Sequence, residues 1–213
     1  MKNSKLHPSS GIYLALVMLF LYLPIIMLIV LSFNGTNSTS VIQGFSTKWY
    51  VELFKDSATI NALTNTLILA VTSAITATVI GTLAAVGIDK MKKGVVKSSV
   101  MTVTNIPMMN PEIVTGVSMM LLFVFIGSIL GASGVLGFWT LFIAHVTFSL
   151  PYVILNVLPK LRQTDANLSQ AAQDLGCPPV KAFIKVVLPS ILPGVIAGLI
   201  MAFTLSFDDF IIS

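Results

Sequence analysis

Residues 12–33 form 22 consecutive positions without an acidic or basic side chain. Roughly 20 apolar residues are what a helix needs to cross a bilayer. Backbone in hydrocarbon must satisfy its own hydrogen bonds, so only helices and closed barrels span membranes. An unbroken apolar run without alternation selects the helix.

The pattern recurs. Residues 58–88 form a second apolar run, 98–127 a third interrupted by Pro107 and Pro111, 138–158 a fourth containing Pro151, and a fifth starts near 186 and runs to the end. Only 9% of the 213 residues are charged and 55% are hydrophobic, against about a quarter charged in soluble domains. The expected fold is an all-α polytopic membrane bundle with five visible spans. The net charge of +4 is no mark of nucleic-acid binding, because the lysines lie between apolar runs rather than on one face. The single Cys177 excludes an intrachain disulfide framework.

The basic residues orient the spans. With the N-terminus in the cytoplasm, the inner segments hold Lys2, Lys5, Lys90, Lys92, Lys93, Lys97, Lys160, Arg162, Lys181 and Lys185, and the outer ones hold Lys48 and Lys55. Ten against two is a strong positive-inside bias. The polar stretch 159–189 is then cytoplasmic. The first run is too long for the apolar core of a signal peptide and no small-x-small cleavage site follows, so an uncleaved anchor is expected. The domains on this reading are 1–57, anchor span plus extracytoplasmic loop, and 58–213, a helical core. No basic anchor or polar tail follows the last run, and a sixth span is expected beyond Ser213.

Ala77, Gly81 and Ala85 recur every fourth residue, a small-xxx-small face for close helix packing. Pro107, Pro111 and Pro151 each remove a donor within apolar sequence, as in transport proteins and in packed bundles alike. Met108, Met109, Met119 and Met120 read as soft packing rather than a metal site.

In the cytoplasmic stretch, Leu168, Ala171, Ala172 and Leu175 fall at i, i+3, i+4 and i+7, one face of a helix. Asp165, Asn167, Gln170, Gln173 and Asp174 cover the rest. Gly176 and Pro178-Pro179 stop it. Val180, Phe183, Ile184 and Val187 repeat the spacing and predict a second short amphipathic helix. Two helices lying on the bilayer are the alternative. The first has no Lys, Arg or aromatic residue between Gln163 and Gly176, which favours a protein partner.

The pattern Q-A-A-x3-G-x9-V-x-L-P over 170–189 resembles the "EAA" loop of inner-membrane permease subunits of binding-protein-dependent ABC importers. Gln170 stands for the family's Glu, a loss of charge, and Val186 for its Ile. Asn65-Thr66-Leu67 and Gly81-Thr82-Leu83-Ala84-Ala85 are similar to the opening span of the family core, so the resemblance covers about 61–213. It implies that Asp165, Leu168, Gln170, Ala171, Ala172, Asp174, Leu175 and Gly176 couple to a separate ATPase, two copies of which close on ATP and switch the permease between inward-open and outward-open states. The sequence carries no G-x-x-x-x-G-K-[ST] loop, so ATP and Mg are expected on that partner, with no cofactor in this chain. A second, homologous permease and an extracytoplasmic substrate-binding protein complete the implied assembly.

Asp208-Asp209 is the other sharp feature. Counted from Pro193, a helix places Asp208 about 22 Å along its axis, within a hydrocarbon core of about 30 Å. A carboxylate there costs roughly 2.5–3.5 kcal/mol on insertion scales. A water-filled path for a cationic solute would offset this, as would a basic partner residue or an interfacial position. Glu112, at a broken helix, is a third acid, for which a structural role is favoured. The string FTLSFDDF is similar to the spermidine/putrescine branch of the family, which implies a polyamine substrate and a sixth span. The alternatives are a same-fold importer for another solute such as ferric iron, a passive structural subunit, and an intramembrane aspartyl protease. Adjacent acids point about 100° apart on a helix and cannot form the protease dyad alone.

Overall fold

The computed structural model of the chain describes residues 8–36, 41, 44–131, 134–165 and 167–208. They form helices and one isolated antiparallel bridge, Asn34 with Phe45. The chain parts into two compact units, Met1–Leu63 and Thr64–Ser213. The boundary expected at 57/58 coincides with the start of helix α3, Ser57–Lys90, whereas the compact units part inside that helix.

In the first unit, α1 (Pro8–Ser32) is apolar on all sides and its side chains from Tyr13 to Val30 stay exposed. A helix apolar all round belongs in lipid. An aromatic cluster follows: Phe33 stacks on Phe45 with ring centroids 5.1 Å apart, and Tyr50 Oη lies 2.8 Å from Ser32 Oγ. Trp49 Nε1 donates to the Asn34 carbonyl at 2.7 Å. Trp49 and Tyr50 lie on the short α2 (Lys48–Lys55), and such rings are typical of the membrane–water boundary. Asp56 opens α3: its carboxylate accepts the Ala58 N–H at 3.1 Å and the Thr59 hydroxyl. The Thr59 bond first, then the Ala58 bond, hold its pKa below the ordinary carboxylate value.

The second unit holds the rest of α3, then α4 (Val95–Met109), α5 (Glu112–Ile129), α6 (Phe138–Gln163), α7 (Leu168–Asp174), α8 (Pro179–Ala182), a π-helical turn (Phe183–Val187) and α9 (Leu188–Asp208). Among the described residues, five helical stretches have the length and composition to cross a membrane: Gly11–Ser32, Ser57–Lys90, Glu112–Ile129, Phe138–Gln163 and Pro179–Asp208. The third run does not break at both its prolines. Pro107 sits inside α4, and the break is at Asn110-Pro111, where Asn110 is extended as a residue before proline prefers. The fifth span starts at Pro179 rather than near 186, because the expected second amphipathic helix runs on into α9 without a gap. The expected stripe is not the buried face: Val180 is 70% exposed and Ile184 53%, while Ala182, the last residue of α8, is buried.

Small residues set the packing. Ala70, Ala74, Ala77, Gly81 and Ala85 are buried on α3, and Gly194, Gly198, Ala202 and Ser206 are buried at every fourth position of α9. Val153 of α6, fully buried, lies between them. A Cβ on Gly81 would come within 2.7 Å of Val153 Cγ1, and one on Gly198 within 3.3 Å of Val153 Cα. Helices that close gain dispersion contacts that lipid cannot match.

Candidate transport site and coupling surface

Glu112 and Asp208, 96 positions apart, line one cavity of about 80 Å³ together with Phe148, Thr204 and Leu205. Glu112 is the first residue of α5, after the Pro111 break, so the free N–H groups of that helix start favour its negative charge. Asp208 is the last residue of α9 and is exposed. Two carboxylates with an aromatic wall and a threonine hydroxyl suit an ammonium group. Asp209, expected beside Asp208, lies outside the described residues.

A polar cluster that the sequence reading did not single out lies next along α6 and α9. Ser206 Oγ is 2.9 Å from His145 Nδ1 and 2.9 Å from Ser73 Oγ. Ser73, His145 and Ser206 are at most 2% exposed. Ser73 also donates to the Ala70 carbonyl at 3.3 Å. One direction of donation then satisfies the run: His145 to Ser206, Ser206 to Ser73, Ser73 to the backbone. The available signal was His145 itself, since ionisable residues within spans are rare and face the bundle interior.

The corner after α7 is built locally. Leu175 caps α7, the Gly176 N–H donates to the Gln173 carbonyl at 2.8 Å, and the Cys177 N–H to the Ala172 carbonyl at 3.1 Å. These two bonds are a Schellman stop, which needs a left-handed residue, and Gly176 has φ +86°. Nothing in this chain lies within 4 Å of a Cβ built there, so within the chain it is the left-handed backbone that calls for glycine. Leu168, Gln170, Ala171 and Asp174 are exposed, Leu175 is 90% exposed, and Ala172 is half-buried. The expected stripe thus faces out, apart from Ala172. Asp165 stands behind it: its carboxylate accepts the Asn167 N–H at 2.9 Å, and it lines a crevice of about 370 Å³ with Ser169, Gln173 and Arg162. Of the methionines, Met119 and Met120 line an apolar cavity of about 400 Å³ between α5 and α6.

Residues 77–213, which contain the corner, the polar cluster's His145 and Ser206, and both acids of the cavity, match the binding-protein-dependent transport system inner membrane component family. The chain belongs to this family. It is a multi-pass membrane permease component, not an enzyme. The putrescine transport system permease protein PotI of Escherichia coli (strain K12) is 37% identical over 206 residues, covering 97% of this chain and 73% of its own. The spermidine/putrescine transport system permease protein PotC of the same strain is 38% identical over 204 residues, 95% and 74% of the two chains. PotC of Haemophilus influenzae is 37% identical over 202 residues, 94% and 76%. PotI and PotC match the permease about equally well, so identity alone does not rank one polyamine over another.

Proposed function

We propose that this chain is one permease subunit of an ATP-driven polyamine importer, with Glu112, Asp208 and Asp209 along the solute path. The observation that carries the reading is the cavity shared by Glu112 and Asp208. The names of PotI and PotC, putrescine and spermidine/putrescine permeases, support it. A polyamine presents ammonium groups spaced along an aliphatic chain. Carboxylates bind such a group when it sheds its water, and the Phe148 ring covers the methylenes beside it.

On this reading the N-terminus and the α7 corner are cytoplasmic, in accord with the lysine distribution. The exposed face of α7, led by Leu168, Ala171 and Leu175 with Gln170 and Asp174 beside it, docks on a separate ATPase, present in two copies with ATP and Mg. Asp165 supports that face from behind by ordering the turn before α7. A homologous permease and an extracytoplasmic binding protein complete the importer. Closure of the ATPases moves α7, and α9 continues from the same corner to the acid cavity, so the force has a direct helical path.

The test is ATP-dependent uptake of labelled putrescine and spermidine by proteoliposomes holding the complete importer. Asp208→Asn should raise the KM by about tenfold, the loss of one charge-assisted hydrogen bond of roughly 1.5 kcal/mol. Unchanged uptake in Asp208→Asn/Asp209→Asn removes these acids from the path.

A further inference from the structure

Gly194, Gly198, Ala202 and Ser206 are four residues apart, and Gly198 meets Val153 of α6. If α9 slides by one repeat, so that Gly194 takes the place of Gly198, small residues follow one another along the stripe, and sterics resist the slide at one end: Ser190 would enter the seat of Gly194, where a Cβ meets the Asn156 carbonyl oxygen at 2.9 Å. Such a slide displaces Asp208 by about 6 Å, out of a cavity of about 80 Å³.

At the other end of the stripe the slide forfeits hydrogen bonding. It would put Ala202 where Ser206 stands, and a methyl group would face Ser73 Oγ and His145 Nδ1. Both interhelical bonds are buried where water cannot replace them. Buried polar groups fix register in helical assemblies for this reason. The cluster also joins three helices at one point: α3 through Ser73, α6 through His145 and α9 through Ser206. Phe148, three residues after His145 on α6, and Asp208, two after Ser206 on α9, both line the acid cavity.

We propose that Ser73, His145 and Ser206 are positioning residues, a polar pin that fixes the rotation and axial register of α9 and so holds Asp208 at the acid cavity. They do not touch the solute. The inference rests on the polyamine reading for its transport consequence, but the register itself is measurable without any solute.

The experiment uses the complete importer in proteoliposomes, with Cys177→Ser and spin labels at Ile143→Cys on α6 and Ile200→Cys on α9, both exposed positions. Distance distributions are measured by pulsed electron resonance alongside uptake kinetics. Ser206→Ala and His145→Leu should shift or broaden the distribution and raise the polyamine KM by roughly 3- to 15-fold, with Vmax changed less than KM. His145→Asn, which keeps a polar atom near the Nδ1 position, should restore both. Ser206→Ala alone suffices if the His145 variants do not assemble, since it keeps the small stripe. The pin is overturned by an unmoved distance distribution in Ser206→Ala, or by His145→Asn behaving as His145→Leu does. If the unmutated importer moves no polyamine, the functional reading falls and the distance measurement still decides the pin.

Discussion

Gly176 carries its role in one dihedral angle. At φ +86° with open space around the missing Cβ, an alanine meets no neighbour but must hold a left-handed backbone. That costs about 1–2 kcal/mol, enough to loosen the stop between α7 and the Pro178-Pro179 corner. Gly176→Ala should therefore raise the ATP hydrolysed per polyamine imported while the importer still assembles. Gly87→Ala is the control, since that glycine also has open space but no positive φ. Asp56 works through charge instead. Its folded pKa lies below the ordinary 3.8, so the ionised carboxylate is the form the folded cap favours. The contribution of the cap is full above the ordinary value and is lost as pH falls through the lower folded value. Amide exchange at Ala58 and Thr59 should quicken across that acid range, and Asp56→Asn should abolish this pH dependence.

Among the elements, the segment from α7 to α9 does most to connect sites. The Schellman stop turns the chain, the two prolines stiffen the turn, and the π-helical turn at Phe183–Val187 joins it to the long helix. A π turn accommodates one extra residue in an α-helix. Deleting exposed Ile184 should let the segment relax to α with α7 kept in phase around the α9 axis, because the wide turn already absorbs that residue. Cross-linking from Ala171→Cys to the ATPase should then persist, whereas deleting a residue from the regular part of α9 rotates α7 by about 100° and should abolish it. The apolar stripe through Val180 and Ile184 was legible as a helix but not as this one. Which residues face in depends on where the extra residue is absorbed, and burial of Ala182 against the core decides that.

For the whole molecule, the lysine distribution predicts that α7 and its corner face the cytoplasm. Cys177, the single cysteine, is half-buried at that corner and serves as a native probe. A membrane-impermeant maleimide should label it in inverted vesicles and leave it unlabelled in right-side-out vesicles. Lys48→Cys, in a Cys177→Ser background, should show the reverse. Equal labelling of Cys177 from both sides contradicts the orientation.

The spans, the Gly176 corner and the family motif were readable from the sequence because each is local. Apolar run length answers to bilayer thickness, helix spacing to 3.6 residues per turn, and a left-handed stop to glycine. These signals located the permease fold, the exposed face of α7 and Asp208. They did not join Glu112 to Asp208 or find the bonds among Ser73, His145 and Ser206. Those residues are brought together by the close approach of α3, α6 and α9. Small residues permit that approach, and only the packed structure says which polar groups then meet.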